Sequence, residues 1–196
     1  MKVNKLRNKE NQIINGPLEI KPKIFNDDRG YFYETWNAKD FEANINSETS
    51  FVQDNQSFSE RGTLRGLHYQ LNPMSQGKLV RVTKGMVFDV IVDLRQKSKT
   101  FKSWTSLILN CQDKNQIWIP KGFAHGFLTL SEEAILEYKV TDFWEKDLER
   151  TILWNDPSIS IEWPRLNNNL LEPNLSFKDM NGLSLQSVIK KGEVFQ

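Results

Sequence analysis

The two histidines of the chain are the first candidates for chemistry. His68 and His125 are the only histidines among 196 residues, so they are the only side chains whose unperturbed pKa suits proton transfer near neutral pH. His68 follows Arg65 within a Gly-containing stretch, His125 ends a Pro-x-Gly-x-x-His stretch that begins at Pro120, and Lys78 follows another glycine. Glycines allow a ligand to approach the backbone closely. These clusters therefore predict a site for acid–base chemistry.

A metal site is the main alternative for the same histidines. Pro-x-Gly-x-x-His resembles the second half of the cupin signature, whose first half in metal cupins supplies a His-x-His pair and a Glu. Here position 66 is Gly, so His68 has no such partner. Two histidines and a carboxylate could still form a facial triad, but the ligand spacing is missing. A single cysteine, Cys111, excludes a disulfide framework and a Cys-based zinc site. We predict no metal.

Composition and missing motifs exclude further classes of protein. The chain has no GxGxxG, P-loop or HExxH pattern, so a dinucleotide or kinase-type site is not supported. Its 26 Lys+Arg and 25 Asp+Glu give a net charge of +1, which argues against nucleic-acid and membrane-surface binding. The polar N-terminus has no signal-peptide core, and no apolar run approaches the ~20 residues of a membrane span. We expect a soluble cytoplasmic protein.

A period of two dominates the middle of the chain and predicts β-strands. Residues 78–95, interrupted by Gly85, indicate a hairpin or a bent pair of strands. The second strand has one apolar face and one face on which Val87 and Ile91 alternate with Asp89 and Asp93. Further strands are predicted at 104–109, 116–119, 123–130 and 134–144.

Helical signals are sparse and lie towards the two ends. Asn37 can cap a short helix to residue 44, and residues 183–190 can form another. Many short strands without intervening helices predict a mostly β sandwich or barrel. The polar stretch 165–169 is interpreted as a loop leading into a C-terminal appendage, 165–196, that packs on the barrel within a single domain, 1–196.

Six segments together resemble the dTDP-4-dehydrorhamnose 3,5-epimerase family. They are FVQDN (51–55), LRGLH (64–68), QGKLVR (76–81), VFDV (87–90), WIPKGFAHGF (118–127) and ILWND (152–156). The ordered resemblance runs from about residue 20 to residue 179. It implies a cupin-type jelly-roll barrel and a homodimer that uses no metal and no cofactor. The implied reaction inverts C3 and C5 of dTDP-4-dehydro-6-deoxy-D-glucose and gives dTDP-4-dehydro-L-rhamnose, in dTDP-rhamnose biosynthesis.

The resemblance also implies roles for four catalytic residues. Both inverted carbons are α to the C4 ketone, so the reaction needs a base, an enolate stabiliser and an acid on the opposite face. His68 matches the base, and Asp179 matches the carboxylate that fixes its tautomer. Lys78 matches the enolate stabiliser, and Tyr138 matches the proton donor.

Binding residues follow from the same match. Trp144 falls where relatives commonly carry a Tyr that stacks on thymine, and strict alternation along 134–144 would place it on the face of Tyr138. His125, paired with Asp89, is expected to position the sugar, while Asp93 is expected to be structural and paired with Arg95 or Arg81. The remaining nucleotide-binding positions are Arg29, Tyr31, Glu34, Gln53, Asn55, Arg65, Glu149 and Lys178.

Two structural requirements accompany these assignments. In relatives the segment 29–34 comes from the neighbouring subunit, so the resemblance implies a homodimer with a shared active site. Strict alternation puts Arg65 and His68 on opposite faces, so both can line one cavity only if the strand bulges around Gly66.

Three alternatives stay open at this point. A related enzyme could epimerise only C3 or only C5 of a dTDP-4-keto sugar, although a Tyr at 138 favours the double epimerase. A metal-dependent cupin enzyme is the second alternative. A non-catalytic jelly-roll module that binds sugars is the third, and the joint presence of His68, Tyr138 and Asp179 counts against it.

Overall fold

The computed structural model describes residues 1–45, 49–166 and 172–196. Strands dominate these ranges. They are β1 (Lys2–Arg7), β2 (Ile13–Lys21), β3 (Phe25–Asp27), β4 (Gly30–Phe32), β5 (Gln53–Glu60), β6 (Leu64–Gln70), β7 (Lys78–Lys84), β8 (Met86–Asp93), β9 (Trp104–Asn110), β10 (Gln116–Ile119), β11 (Phe123–Thr129), β12 (Glu133–Val140) and β13 (Glu149–Thr151). The short helices are α1 (Ala38–Asn44), α2 (Phe177–Met180) and α3 (Leu185–Lys190).

Two antiparallel sheets form the body of the protein. The six-stranded sheet has the order β1-β2-β10-β7-β12-β5, and the five-stranded sheet has the order β13-β6-β11-β8-β9. Strands that are consecutive in sequence lie in different sheets at several points, as in a jelly roll. The mostly β, cupin-type jelly-roll barrel predicted from the sequence is confirmed.

Gly85 marks one crossing between the sheets. The strands on either side of it, β7 and β8, belong to different sheets, so residues 78–95 form the bent pair and not the hairpin. Gly85 has φ +76°, and a Cβ there would lie 2.0 Å from the carbonyl oxygen of Glu133. Only glycine fits this corner.

An apolar cluster fills the space between the sheets. Val80 from β7 and Leu136 from β12 meet Val87 and Ile91 from β8, together with Phe127 from β11. The mixed face of β8 is therefore the inner face, so Asp89 lies in the barrel interior.

A second cluster covers the outer face of the five-stranded sheet. Val90 and Val92 of β8 pack against residues from the C-terminal part of the chain, namely Trp163, Leu185 and Val188. These contacts support our proposal that the C-terminal part is an appendage of one domain. Of the predicted loop 165–169, positions 167–169 lie outside the described residues.

The helix predictions at both ends are confirmed. Asn37 caps α1 by accepting a hydrogen bond from the backbone N–H of Asp40, and α3 ends at Lys190. None of the helices in the described ranges has the length and apolarity to cross a membrane.

Candidate active site

His68 and Asp179 form the central pair of the site. His68 lies in β6 and Asp179 in α2, and His68 Nε2 is 2.5 Å from Asp179 Oδ1. The N-cap residue of α2, Ser176, donates its hydroxyl to Asp179 Oδ2 at 2.7 Å and accepts the Asp179 backbone N–H. Because both carboxylate oxygens are held, the carboxylate fixes the orientation of the imidazole. Nε2–H then faces the carboxylate, and Nδ1 is the nitrogen that can take up a proton.

The pKa shifts of this pair suit a base that is neutral at physiological pH. Burial lowers the pKa of His68, and the hydrogen bond to Asp179 opposes that effect without cancelling it. Burial raises the pKa of Asp179, but the hydrogen bonds from His68 and Ser176 outweigh burial and leave that pKa lowered. His68 is therefore unprotonated, and Asp179 is ionised, near pH 7.

A bulge in β6 brings Arg65 to the same face of the sheet as His68. On the neighbouring strand, His125 is the register partner of His68 and Phe127 that of Arg65, so two residues of β6 face one residue of β11. The bulge contains Gly66 at φ +127°, where a Cβ would lie 2.6 Å from the backbone of β11. The predicted bulge is confirmed.

His125 and Asp89 form a second pair on the inner face. His125 Nε2 is 2.8 Å from Asp89 Oδ2, and both residues are buried. Their strands neighbour each other in the five-stranded sheet, where His125 pairs with Ile91 of the inner cluster. His68, opposite His125 in register, therefore faces the barrel interior as well. Asp93 is bonded to Arg95 instead, as predicted.

Lys78 enters the cavity from the other sheet. It begins β7, where its register partners are Ile119 and Val140. Burial lowers the pKa of Lys78 to about 8, and the nearby carboxylates of Glu149 and Asp89 limit the shift. The ammonium group is therefore still charged at neutral pH.

Tyr138 also comes from the six-stranded sheet. It packs against the inner cluster from β12, beside Asn55 in register. Burial raises the pKa of Tyr138, Glu149 raises it further, and Arg65 opposes them. The phenol therefore keeps its proton and can donate it. His68 and Tyr138 project from the two sheets that face each other, so an imidazole and a phenol lie on opposite sides of the barrel interior.

Polar groups expected to hold a nucleotide lie around this cavity. Arg65 donates to Ser59 Oγ at 3.0 Å and to the carbonyl oxygen of Phe58 at 2.9 Å, which places its guanidinium beside β5. Lys178 Nζ is 2.9 Å from Glu149 Oε1. Gln53 donates to Asn55 Oδ1 at 2.7 Å.

Trp144 lies in a loop and not in the strand that alternation predicts. Strand β12 ends at Val140, so Trp144 lies in a loop beyond the strand, with its backbone N–H directed at Gln53 Oε1 at 3.4 Å. Just beyond the strand, the Thr141 backbone N–H donates to the carbonyl oxygen of Gly77, and the Thr141 hydroxyl accepts the Gly77 N–H. The predicted strand 134–144 therefore extends too far, and strict alternation does not give the face of Trp144, although its loop lies beside Gln53. The Trp144 side chain is half-exposed.

Three predicted binding residues lie apart from this group. Arg29 bonds Asp27 within the β3–β4 hairpin, and Glu34 accepts from Asn37 at the start of α1. Tyr31 is exposed and lies under the ammonium of Lys114. None of the contacts that the structure gives these three residues is with the His68 cavity.

Across the described ranges, no three His, Cys, Asp or Glu side chains are grouped closely enough to hold a metal ion. The absence of a metal and of a cofactor stays a prediction.

Comparison with known proteins identifies the family of the chain. The family model described as dTDP-4-dehydrorhamnose 3,5-epimerase matches residues 11–187. The chain belongs to this family. The epimerase of Shigella flexneri is 53% identical over 165 residues, which cover 84% of this chain and 88% of that protein. The epimerase of Escherichia coli K12 is 45% identical, with 90% and 94% covered.

Solved epimerase structures share the fold. The Legionella pneumophila dTDP-6-deoxy-D-glucose-3,5-epimerase, in complex with dTDP-4-keto-L-rhamnose, has a TM-score of 0.89 and 42% identity and covers 100% of this chain and 98% of its own. The 3'-monoepimerase ChmJ of Streptomyces bikiniensis, in complex with dTDP-quinovose, has a TM-score of 0.85 and 29% identity, covering 93% and 90%. The epimerase fold therefore accommodates both double and single epimerases.

Two residues that organise the epimerase site were not predicted. Ser176 holds Asp179, and its only signal was the Ser-x-x-Asp spacing of a helix start. Gln70 is a buried side chain that bonds the loop carrying Trp144, and no motif in the sequence marks it.

Proposed function

We propose that this chain inverts C3 and C5 of dTDP-4-dehydro-6-deoxy-D-glucose, giving dTDP-4-dehydro-L-rhamnose, with His68 as base and Tyr138 as acid. Membership of the family supports the activity. The observation that carries the mechanism is the location of His68 and Tyr138 on facing sheets. Inversion requires removal of a proton from one face of the carbon and delivery to the other, and two opposed walls meet that requirement.

In the first step His68 Nδ1 takes a proton from the carbon next to the C4 ketone. The electrons of the broken C–H bond form a C=C bond, and the carbonyl π electrons move to O4, which becomes an enolate oxygen. The charged ammonium of Lys78 lies in the same cavity and stabilises this oxygen. Asp179 stabilises the imidazolium that forms.

In the second step the enolate collapses and the carbon takes the phenolic proton of Tyr138 on the opposite face. The phenolate is then reprotonated from solvent, and His68 returns its proton to solvent. No net proton or electron is gained, and the same cycle serves C3 and C5 in turn.

The surrounding groups suit a nucleotide diphosphate. Arg65 and Lys178 supply positive charge for the phosphates. Gln53, Asn55 and Glu149 supply hydrogen-bonding groups, and Trp144 presents an aromatic face to thymine. His125, held by Asp89, is expected to position the sugar.

We further propose that the active unit is a homodimer with a shared site. The β3–β4 hairpin, which carries Arg29 and Tyr31, exposes large aromatic side chains, with Phe25 at 49%, Tyr31 at 57% and Phe32 at 65%. Such a strip is typical of an interface. A second copy that receives this hairpin would gain the binding groups that each chain places away from its own His68. The cytoplasmic location predicted from the sequence belongs to this proposal.

Incubation of the protein with the 4-keto substrate in D2O tests the proposal. We expect deuterium at both C3 and C5, read by NMR or mass spectrometry, and turnover that survives chelation. Deuterium at C3 alone would identify a 3'-monoepimerase, the second candidate favoured by the likeness to ChmJ. Binding without exchange would indicate a sugar-binding module, and loss of turnover on chelation would indicate a metal cupin.

A further inference from the structure

The loop that carries Trp144 is held by glutamine side chains. Between β12 and β13, residues 142–145 form neither helix nor strand. Gln76 donates to the carbonyl oxygen of Asp142 at 2.8 Å, and the Trp144 N–H points at Gln53 Oε1 at 3.4 Å. Gln70 bonds two groups of the loop, and this residue is only 4% exposed.

Gln70 contacts both peptide units that flank Trp144. Its Nε2 donates to the carbonyl oxygen of Phe143 at 2.8 Å, which belongs to the peptide before Trp144. Its Oε1 accepts from the N–H of Glu145 at 2.8 Å, which belongs to the peptide after Trp144. Because peptide units are planar, fixing both of them fixes φ and ψ of the residue between. One side chain thereby sets the direction in which the Trp144 side chain leaves the backbone.

The position of Gln70 links this loop to the catalytic strand. Gln70 is the last residue of β6, two positions after His68 and on the same face, and its register partner is Glu149. The opposite side of the loop is held by Gln53, from the other sheet. The loop therefore bridges the two walls of the cavity.

We propose that Gln70 is a positioning residue that holds Trp144 where thymine stacks. This inference rests on the proposed function, because it requires Trp144 to contact the nucleobase. A half-exposed indole on an unrestrained loop would lose conformational freedom on binding, and Gln70 removes that cost beforehand. None of the side-chain hydrogen bonds that the structure gives Gln70 is to His68 or Tyr138, so we expect its effect to fall on binding of the nucleotide and not on the chemical step.

The experiment compares Gln70→Met with the wild-type protein. Methionine has similar length and no amide, so the two hydrogen bonds to the loop are lost, together with the bond to the carbonyl oxygen of Met74. We expect KM for the dTDP-sugar to rise about fivefold to tenfold, the lower part of the range that one stacked base contributes, with kcat changed less than about twofold. Gln70→Glu keeps an acceptor for the Glu145 N–H but loses the donor, and it serves if Gln70→Met does not fold.

Asn115 offers a matched control. It is also 4% exposed, donates to the carbonyl oxygen of Ile108 at 2.8 Å and accepts from the N–H of Asn110 at 3.3 Å, in the β9–β10 turn. Asn115→Leu removes an equivalent pair of bonds away from the cavity. We expect it to lower Tm while leaving KM unchanged.

A double-mutant cycle with Trp144→Ala decides the assignment. If Gln70 acts through Trp144, Gln70→Met adds less than about twofold to KM once the indole is gone. A full additive effect, or a fall in kcat with KM unchanged, would overturn the positioning role. If Trp144→Ala alone leaves KM unchanged, the assumption that Trp144 stacks on thymine is wrong. If the wild-type protein shows no deuterium exchange, the proposed reaction is wrong, and this outcome is distinct from failure of the positioning role.

Discussion

His68 and His125 stand directly opposite each other on β6 and β11, yet their carboxylate partners differ in surroundings. Asp179 has both oxygens bonded to donors. Asp89 has one oxygen bonded to His125, and its other oxygen is buried without a partner among the described residues. Both oxygens of Asp179 therefore have partners, whereas Asp89 keeps a buried oxygen without one among the described residues. This difference supports the proposed roles, which are proton removal for the first pair and substrate positioning for the second.

The two histidines should respond differently to the same substitution. We expect His68→Asn to abolish deuterium exchange at C3 and C5, with a loss of at least about 10²-fold, because the base is removed. His125→Asn should retain measurable exchange at both carbons and raise KM. NMR of the product formed in D2O measures both. Exchange that survives in His68→Asn and disappears in His125→Asn would reverse the assignment.

Loss of the phenol should separate exchange from inversion. In Tyr138→Phe the base and the enolate stabiliser are intact, so proton abstraction continues while protonation from the opposite face slows. We expect α-proton exchange and net inversion both to fall, and the loss of net inversion to be at least about tenfold larger than the loss of exchange. Comparison of deuterium incorporation with product stereochemistry checks this. An equal loss of both would show that Tyr138 is not chiefly the acid.

The pH profile of kcat/KM should be bell-shaped. His68 must be neutral, and its pKa lies below 6.5, so kcat/KM falls as the pH drops through that lowered value. Lys78 must be charged, so kcat/KM also falls as the pH rises through about 8. Lys78→Arg should lower the maximum and remove the alkaline limb, because a guanidinium keeps its charge. A limb that stays in place would belong to another group.

Lys78 should also reduce the stability of the fold. Its pKa is lowered from 10.5 to about 8, so the folded state disfavours the charged form, and the free energy of unfolding should rise between pH 8 and 10. Lys78→Met should remove that rise and increase the free energy of unfolding at pH 7 by about 1 kcal/mol, or about 2–4 °C in Tm. Lys84→Met, at the exposed end of the same strand, is the control and should do neither. Urea unfolding at both pH values measures this, and a less stable Lys78→Met would contradict it.

A shared site predicts complementation between inactive variants. Arg29→Ala should lack a partner-supplied phosphate contact, and His68→Ala should lack the base. Refolded together in equal amounts, they should recover about a quarter of wild-type activity, because half of the dimers carry one intact site. Each variant refolded alone is the control. No recovery from dimers shown to be mixed would argue that each chain supplies its own Arg29.

Strands with alternating apolar residues were predictable, and polar ones were not. Residues 116–119 were predicted as a strand with the bounds observed for β10, and all four residues are buried. Strand β5 reads QDNQSFSE and offers no apolar period, so its place at the edge of a sheet emerges only from pairing with β12. Alternation did not give the face of Trp144, because β12 ends at Val140 and alternation carries no information about where a strand stops.

The site was predictable only in part for the same physical reason. The bulge at Gly66 follows from two residues that must share a cavity while alternation separates them. The pairing of His68 with Asp179 spans 111 positions, and no spacing rule connects them, so that expectation came from the resemblance alone. Gln70 was missed because a buried amide that bonds backbone groups leaves no pattern in the sequence.

The carboxylate bonded to the proposed base comes from one of the last helices, so the proposed chemistry depends on the C-terminal end of the chain. The barrel strands end at residue 151, and Asp179 follows in α2, just before α3 buries Leu185 and Val188 on the sheet. A chain emerging from the ribosome completes its strands first. A nascent chain whose strands have all emerged therefore still lacks the carboxylate that the proposed base requires. On the proposed mechanism, activity requires the C-terminal segment to be docked, so the onset of activity reports that docking.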